Sequence, residues 1–229
     1  MNTPSEKEIT EHLKGFVTPQ RLEKMLAVLQ NRTRYLTVVL EDIFQPHNAS
    51  AVLRSCDACG IQDVHIIENR NRHKLTSGIE LGTAQWLTRY RYRQGENKTM
   101  EAIQALRDKG YRIVATTPHK NDVSPAEFDL AKGPAALLFG TELEGLSQQA
   151  LDAADEYIRI PMYGFVESYN ISVSVAIIVS RLKEKLQASG LAWQLSETES
   201  DELLLQYLRN SVRESGLIEK RFASEKAAT

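Results

Sequence analysis

The chain has 229 residues, of which 42% are hydrophobic and 25% are charged, the profile of an ordinary globular protein. Its 28 basic and 30 acidic side chains give a formal net charge of -2, which excludes a histone-like basic protein and an acidic disordered tail. Two cysteines are too few for a secreted disulfide scaffold, no signal-peptide core is visible, and no apolar run has the ~18 residues of a membrane span, so we expect a cytoplasmic protein.

Two predicted helices open the chain, and strands follow them. Ser5 and Glu8 form a predicted capping box, and Thr18 before Pro19 is an N-cap with proline at the first helical position. The apolar runs then become short, continuous and β-branched, which is typical of buried strands. The predicted strands are LTVVLED from Leu36, VHIIE from Val64, the alternating LTRYRYR from Leu87, YRIVATT from Tyr111, AALLFG from Ala135 and YIRI from Tyr157.

Helices are predicted between these strands and after the last of them. They cover residues 48–59, 98–109, a short segment from Ser147, 170–189 and 199–214. Residues 69–85 are polar and carry no clear pattern. Five buried strands that alternate with helices indicate an α/β fold with a mostly parallel sheet and helices on both faces. The two ends of the chain are predicted to be helical extensions around this core.

The segment after AALLF is a candidate site, because ligands bind at the carboxyl ends of strands in an open parallel sheet. Gly140 and Gly145 have the glycine spacing of a P-loop. However, Leu146 stands where the phosphate-binding lysine is required, and two glutamates in the loop would repel phosphate. The segment therefore either approaches a cationic or hydroxyl-bearing ligand or is a plain strand-to-helix turn.

Two other segments carry unusual residues. Arg54 interrupts an otherwise apolar helix, which indicates either a structural ion pair or a site. The loop IPMYGFVESYN from Ile160 is too hydrophobic for an ordinary surface turn, so we expect it to line a pocket or an interface. Ser168 or Asn170 in this loop could also simply cap the helix that follows.

Cys56 and Cys59 form a C-x-x-C pair late in a predicted helix. Redox pairs of this type place the first cysteine at a helix N-terminus, and zinc would need two more ligands, for which His47 and His65 are the nearby candidates. We interpret both cysteines as small core residues and expect no metal site.

Three motifs together resemble those of the SpoU-type RNA ribose 2′-O-methyltransferases of the SPOUT superfamily. They are N-x-x-A-x-x-R at Asn48, Ala51 and Arg54, LFGTELEGLS from Leu138, and IPMYGFVESYNISVSVA from Ile160. Each motif alone is weak, but their order and spacing over residues 20–190 are specific. The helices at both ends are most similar to the branch that methylates a D-loop guanosine of tRNA.

The resemblance implies a homodimer with S-adenosylmethionine bound inside a C-terminal trefoil knot, the SPOUT α/β-knot. By position, the residues that contact the cofactor would be Thr116, Gly140, Ile160, Met162 and Tyr169, the last at a place where many relatives have leucine. The catalytic group would comprise Arg54, Asn48, Glu142, Ser168 and Asn170. Because a guanidinium stays protonated in proteins, we expect Arg54 to orient the ribose 2′-oxygen and stabilise its developing charge rather than act as the base.

The function implied is S-adenosylmethionine-dependent methylation of a ribose 2′-hydroxyl in RNA, at a guanosine of the tRNA D-loop. The alternatives are the same chemistry on ribosomal RNA, an RNA-binding relative without catalysis, and an unrelated α/β nucleotide-binding enzyme. The intact catalytic residues argue against the second alternative, and the missing phosphate loop argues against the third.

The predicted organisation has three parts, with an RNA-binding helical extension at residues 1–35, a catalytic domain at 36–190 and a second helical extension at 191–229. The near-zero net charge hides a basic region, since residues 65–98 carry seven bases and three acids, among them Arg72, Lys74 and Glu80. The predicted RNA-binding residues are Arg21, Arg32, Arg89, Arg91 and Arg181.

Overall fold

The structure is a computed structural model that describes residues 4–43, 45–70, 82–118 and 122–227. These residues form two compact units. One unit is Thr33–Trp193, and the other combines the residues before Thr33 with those after Trp193. Within the described ranges, no helix is both long and apolar enough to cross a membrane.

The unit Thr33–Trp193 is built on one six-stranded sheet in which every pairing is parallel. The strand order is β3-β2-β1-β5-β4-β6. The strands are β1 (Leu36–Glu41), β2 (Asp63–Ile67), β3 (Thr88–Tyr92), β4 (Arg112–Thr116), β5 (Ala135–Phe139) and β6 (Glu156–Ile158). All six predicted strands are therefore confirmed, and so is the parallel sheet.

Helices cover both faces of this sheet. In the described part of the chain, the helices of this unit are α3 (Pro46–Ala58), α4 (Lys98–Asp108), α5 (Gln148–Asp152) and α6 (Ile171–Gln187). The helices of the other unit are α1 (Glu6–Lys14), α2 (Pro19–Leu29), α7 (Glu197–Ser211) and α8 (Ser215–Ala227). The apolar sides of α3 and α6 share one buried cluster with β1, and those of α4 and α5 share a second cluster with the opposite side chains of the same strand. The α/β layers predicted from the alternating pattern are thus present.

The other unit is helical. Helix α7 contacts α1, α2 and α8, and α8 also contacts α1. The capping box of Ser5 with Glu8 and the Thr18 cap are both present. The helix predicted over 199–214 is present as α7, but a further helix, α8, follows it. Val212 adopts an extended conformation with φ of -86° and ψ of 117°, which ends α7, and Glu214 has a left-handed φ of 57° in the turn before α8.

Arg32, one of the predicted RNA-binding residues, is buried in the structure. Its side chain is 1% exposed, and its Nε donates to the Tyr207 hydroxyl oxygen over 3.1 Å. A buried guanidinium is not available to an RNA phosphate, so Arg32 supports the helical unit and is not an RNA-binding residue.

Candidate active site at the carboxyl ends of the strands

The loop after β5 is closed by its own backbone. The Thr141 N–H donates to the Gly145 carbonyl over 2.9 Å, and the Gly145 N–H donates back over 3.0 Å. A Cβ on Gly140 would lie 2.1 Å from the Gly145 carbonyl carbon, so this position requires glycine. Gly145 itself has a φ of 71°, in the left-handed region. The glycine pair that resembles a P-loop therefore serves a tight turn.

The far end of this loop is held by a buried carboxylate at the end of β1. Glu41 accepts hydrogen bonds from the backbone N–H and the hydroxyl of Ser147, each 2.8 Å long, and from the Thr99 hydroxyl over 2.6 Å. Sequence reasoning missed Glu41. The available signal was an acidic residue at the end of an otherwise apolar strand, where a side chain that is buried must find hydrogen-bond donors.

A cavity of about 400 Å³ lies where β4, β5 and β6 end. This size falls within the range of small-molecule sites. The five predicted cofactor residues come from three separate loops, and all of them line this cavity. They are Thr116, Gly140, Ile160, Met162 and Tyr169.

The residues of this cavity fit S-adenosylmethionine. Glu142, Glu144 and Glu167 supply carboxylates for a ligand that carries a sulfonium and an ammonium group. Apolar side chains such as Leu146 and Ile178 supply a surface for a planar base. We therefore call this space the cofactor cavity.

A network of side-chain hydrogen bonds lies beside the cofactor cavity. Asn170 Nδ2 donates to Asn48 Oδ1 over 3.1 Å and to Glu142 Oε1 over 2.5 Å. Asn48 is 4% exposed, and its own Nδ2 donates to Gln45 Oε1 over 3.1 Å. Three of the predicted catalytic residues are thus directly connected, and Gln45 is a fourth member that sequence reasoning did not single out.

A second cavity, of about 350 Å³, adjoins this network. Its lining includes Gln45, Asn48 and Arg70, and it shares Ile171 and the four residues Thr141–Glu144 with the cofactor cavity. We call it the acceptor cavity. Its position places the predicted catalytic carboxylate Glu142 between the two spaces.

Arg54 lines neither of these cavities and is not part of the Asn170 network. It is exposed on α3, and the described residues offer it no hydrogen-bond or ion-pair partner. Ser168, in contrast, lines the cofactor cavity. One chain therefore assembles Asn48, Glu142, Ser168 and Asn170 but leaves the predicted catalytic arginine apart.

The predicted basic strand is only partly available to RNA. Arg91 and Arg93 both bind the buried carboxylate of Glu68, over 2.8 and 2.5 Å. Arg89 on the same strand is exposed, as are Arg21 on α2 and Arg181 on α6. Three charged residues counted in the basic region lie outside the described residues, namely Arg72, Lys74 and Glu80.

The two cysteines of the C-x-x-C pair lie in different environments. Cys56 is fully buried in the core against the sheet, and Cys59 is half-buried, where burial raises the pKa of its thiol. The ring of His65, one of the candidate zinc ligands, stacks on Tyr90 instead. Within the described ranges, no group of three His, Cys, Asp or Glu side chains is placed to hold a metal ion.

Comparisons with known proteins identify the family of this chain. Residues 35–180 match the model of the SpoU rRNA Methylase family. The chain is 42% identical to the tRNA (guanosine(18)-2′-O)-methyltransferase of Borreliella burgdorferi, over 90% of this chain and 93% of that one. The crystal structure of the Aquifex aeolicus TrmH/SpoU tRNA-modifying enzyme superposes with a TM-score of 0.74 and 29% identity, over 85% of this chain and 98% of that one.

The fold is also that of the SpoU methyltransferase AviRb from Streptomyces viridochromogenes, which was solved in complex with AdoMet. The TM-score is 0.60 at 24% identity, over 72% of this chain and 65% of that one. The family match covers the sheet, both cavities and the network around Asn170. The chain belongs to the SpoU rRNA Methylase family, as its three motifs predicted.

Proposed function

We propose that this protein transfers a methyl group from S-adenosylmethionine to the ribose 2′-hydroxyl of a guanosine in tRNA. The observation that carries the proposal is that the cofactor cavity and the acceptor cavity share five lining residues, among them Glu142, which accepts a hydrogen bond from Asn170. The names of the relatives from Borreliella, Thermus and Escherichia support guanosine 18 as the target. Activity on tRNA implies the cytoplasm as the compartment.

The side chains at the boundary have the chemistry to align a ribose. When bound, S-adenosylmethionine supplies an electrophilic methyl group. The Glu142 carboxylate can accept the hydrogen bond of the 2′-hydroxyl, which directs an oxygen lone pair towards the cofactor cavity. Asn170 holds that carboxylate in place, and buried Asn48 fixes the amide of Asn170 in turn. The Ser168 hydroxyl lines the same cavity and can donate to the acceptor or to the cofactor.

Arg54 would complete this site from a second copy of the chain. Its position outside both cavities supports a role in the partner's site rather than in its own. There a guanidinium would bind RNA phosphate and stabilise the charge that develops on the 2′-oxygen. In this arrangement each active site draws residues from two subunits.

Exposed apolar side chains support a homodimer. Phe165 is fully exposed, Tyr163 is 95% exposed, and Val166 is also exposed, in the loop that ends at α6. Val173 on α6 is 42% exposed. Apolar surface of this kind marks an interaction site more often than a solvated surface. A second copy of the same chain would cover it.

We also propose that the segment after β6 is threaded as a trefoil knot. The sheet order supports this, since β6 lies at one edge beyond β4, whereas α6, which follows it, packs against α3. In the sequence, the proposed catalytic domain at 36–190 lies between the helical parts at residues 1–35 and 191–229. Arg21, Arg89 and Arg181 remain the proposed RNA contacts, because all three are exposed.

The direct test uses the full-length protein, S-adenosylmethionine and unmodified tRNA transcript, with ribosomal RNA as the competing substrate. Nucleoside mass spectrometry should detect 2′-O-methylguanosine in the tRNA alone. A transcript with a 2′-deoxyguanosine at the modified position should accept no methyl group. Methylation of ribosomal RNA alone, or none in either RNA despite cofactor binding in calorimetry, would refute the proposal.

A further inference from the structure

The acceptor cavity contains one cationic side chain among its described lining residues, and this residue is Arg70. The guanidinium is 63% exposed and forms an ion pair with Glu144, which is itself 57% exposed. The hydrogen bond with Glu144 raises the pKa of Arg70 above its ordinary value. Neither the family motifs nor the basic strand accounts for a cation at this position.

Arg70 is fixed from behind by a second carboxylate. Its backbone N–H donates to Asp42 Oδ1 over 2.8 Å, and its Nε lies 3.6 Å from Asp42 Oδ2. The Asp42 side chain is 5% exposed, and its φ of 54° places it in the left-handed region, which residues other than glycine adopt infrequently. This buried anchor holds Arg70 at the wall of the cavity independently of Glu144.

The chemistry of the substrate creates a need for a cation at this wall. In RNA the 2′-oxygen and the 3′-phosphate are attached to neighbouring carbons, so a ribose placed against Glu142 brings a phosphate close to it. Glu142 and Glu144 both line the acceptor cavity, and their charges would repel that phosphate. An arginine at the same wall offsets this repulsion and can bind phosphate through two parallel N–H donors.

We propose that Arg70 binds the RNA phosphate next to the target ribose, exchanging its contact with Glu144 for the phosphate while Asp42 keeps it in place. This inference rests on the proposed function. Arg70 is then a substrate-positioning residue for the methyl acceptor. Without RNA, Arg70 pairs with Glu144. When RNA binds, the phosphate replaces Glu144 as the partner of Arg70.

A rival explanation is that the ion pair simply clamps the loop Gly140–Leu146. The two explanations predict opposite results for Glu144. If the pair is a clamp, Glu144→Gln should impair the protein as much as Arg70→Ala does. If Arg70 binds phosphate, Glu144→Gln releases the arginine from its competitor and removes one negative charge from the cavity, so tRNA binding should be unchanged or tighter.

The experiment compares wild-type protein with Arg70→Ala and Glu144→Gln. Arg221→Ala is the matched control, because Arg221 also forms an exposed ion pair, with Glu225 on α8. Filter binding gives the Kd for unmodified tRNA transcript at several salt concentrations, and calorimetry gives the Kd for S-adenosylmethionine. Arg70→Ala should weaken tRNA binding about tenfold and lower the salt slope by about 1, as expected for one lost phosphate contact.

The cofactor affinity should stay unchanged in Arg70→Ala, and Arg221→Ala should match the wild type in both measurements. Equal tRNA affinity and salt slope in Arg70→Ala and Arg221→Ala would overturn the inference. So would a parallel loss of tRNA affinity in Arg70→Ala and Glu144→Gln, which would establish the clamp. Cofactor affinity in Glu144→Gln does not enter this comparison, because Glu144 also lines the cofactor cavity. If the wild type methylates tRNA in these cases, only the role of Arg70 fails, whereas a wild type that transfers no methyl group refutes the proposed function as well.

Discussion

The side chain of Asn170 both caps a helix and belongs to the hydrogen-bond network of the candidate site. Its Oδ1 caps α6 by accepting the Ser172 N–H over 2.9 Å, while its Nδ2 donates to Asn48 and Glu142. From the sequence, a helix cap and a catalytic residue were alternatives at this position. The two are compatible, because the oxygen of the side-chain amide caps the helix while its nitrogen donates to the network.

This division can be tested with Asn170→Asp. An aspartate keeps the oxygen that caps α6, so the free energy of unfolding should change little, but it cannot donate to Glu142 and places a like charge beside it. We expect at least a tenfold loss of kcat with Tm nearly unchanged. Asn170→Ala is the comparison, since it should lose the same activity and also about 1 kcal/mol of stability from the missing cap. If Asn170→Asp retained wild-type turnover, the amide donor would have no part in the reaction.

At the level of elements, the loop between β5 and α5 depends on backbone geometry that no single side chain can supply. Gly140→Ala would force a Cβ against the backbone of Gly145 and open the bridge that closes the loop. Forced contacts of this kind cost about 1–3 kcal/mol. Since the loop lines both cavities, we expect loss of cofactor binding in calorimetry together with a lower Tm.

Gly190→Ala is the matched control for this loop, because a Cβ at Gly190 would meet nothing within 4 Å. It should leave both Tm and cofactor binding at wild-type levels. Wild-type cofactor affinity in Gly140→Ala would mean that the loop tolerates an open form and that its tight closure is not needed for the ligand.

His65 on β2 stacks with Tyr90 and Tyr92 on β3, and protonation of His65 should make the free energy of unfolding depend on pH. The His65 ring lies 4.5 Å from the Tyr90 ring, and its Nδ1 is 2.9 Å from the Tyr92 hydroxyl. Burial, together with the nearby Lys109 ammonium, lowers the pKa of His65 to about 3. The unfolded chain therefore binds one more proton than the folded chain between that value and the ordinary histidine pKa of about 6.5.

The free energy of unfolding should consequently fall as pH drops below about 6.5, with a contribution from His65 of up to about 1.4 kcal/mol per pH unit. Urea unfolding at pH 7, 6 and 5 measures this slope. His65→Phe keeps a stacked ring but cannot take up a proton, so its stability should fall less steeply over the same range. Parallel slopes for the two proteins would show that His65 does not remain neutral in the folded state.

The elements differ in how far the sequence determines them. All six strands could be predicted, five from short, mostly apolar runs that suit a buried parallel sheet and β3 from the alternation of LTRYRYR. Helix α8 could not, since it has no buried residue and is held by contacts distant in sequence, such as the stacking of Phe222 on His12 and the pairing of Glu219 with Arg209. Local patterns contain no information about such partners.

The residues of the candidate site also differ in how far the sequence predicts their positions. The five residues predicted to contact the cofactor could be predicted to lie together, because they belong to segments at the carboxyl ends of strands and to motifs of fixed spacing. The contacts of Gln45, Glu41 and Arg70 could not, since their partners lie elsewhere in the chain and become neighbours only when the sheet forms. Arg32 was misjudged for a related reason, because charge alone does not reveal burial against Tyr207.

At the scale of the whole molecule, the proposed dimer makes the position of Arg54 testable. If Arg54 acts in the partner's site, Arg54→Ala and Glu142→Ala should each be inactive alone but complement each other when co-expressed. A mixed dimer would contain one site of two with both residues intact, so the isolated mixed dimer should have about half of wild-type activity and a randomly paired mixture about a quarter. Two affinity tags isolate the mixed dimer, and a methyl-transfer assay measures it. No recovery in the isolated mixed dimer would place Arg54 and Glu142 in the same subunit's site.

The wall of residues Thr141–Glu144, common to both cavities, also has a thermodynamic consequence. A ligand on either side restricts the same four residues, so the second ligand to arrive finds part of the ordering cost already met. If bound cofactor changes the affinity for RNA by some factor, bound RNA changes the affinity for the cofactor by the same factor, because such coupling is reciprocal. If cofactor and RNA occupy the two cavities as proposed, the demethylated cofactor and the methylated RNA contact the same four residues after transfer, and the release of each product is linked to that of the other.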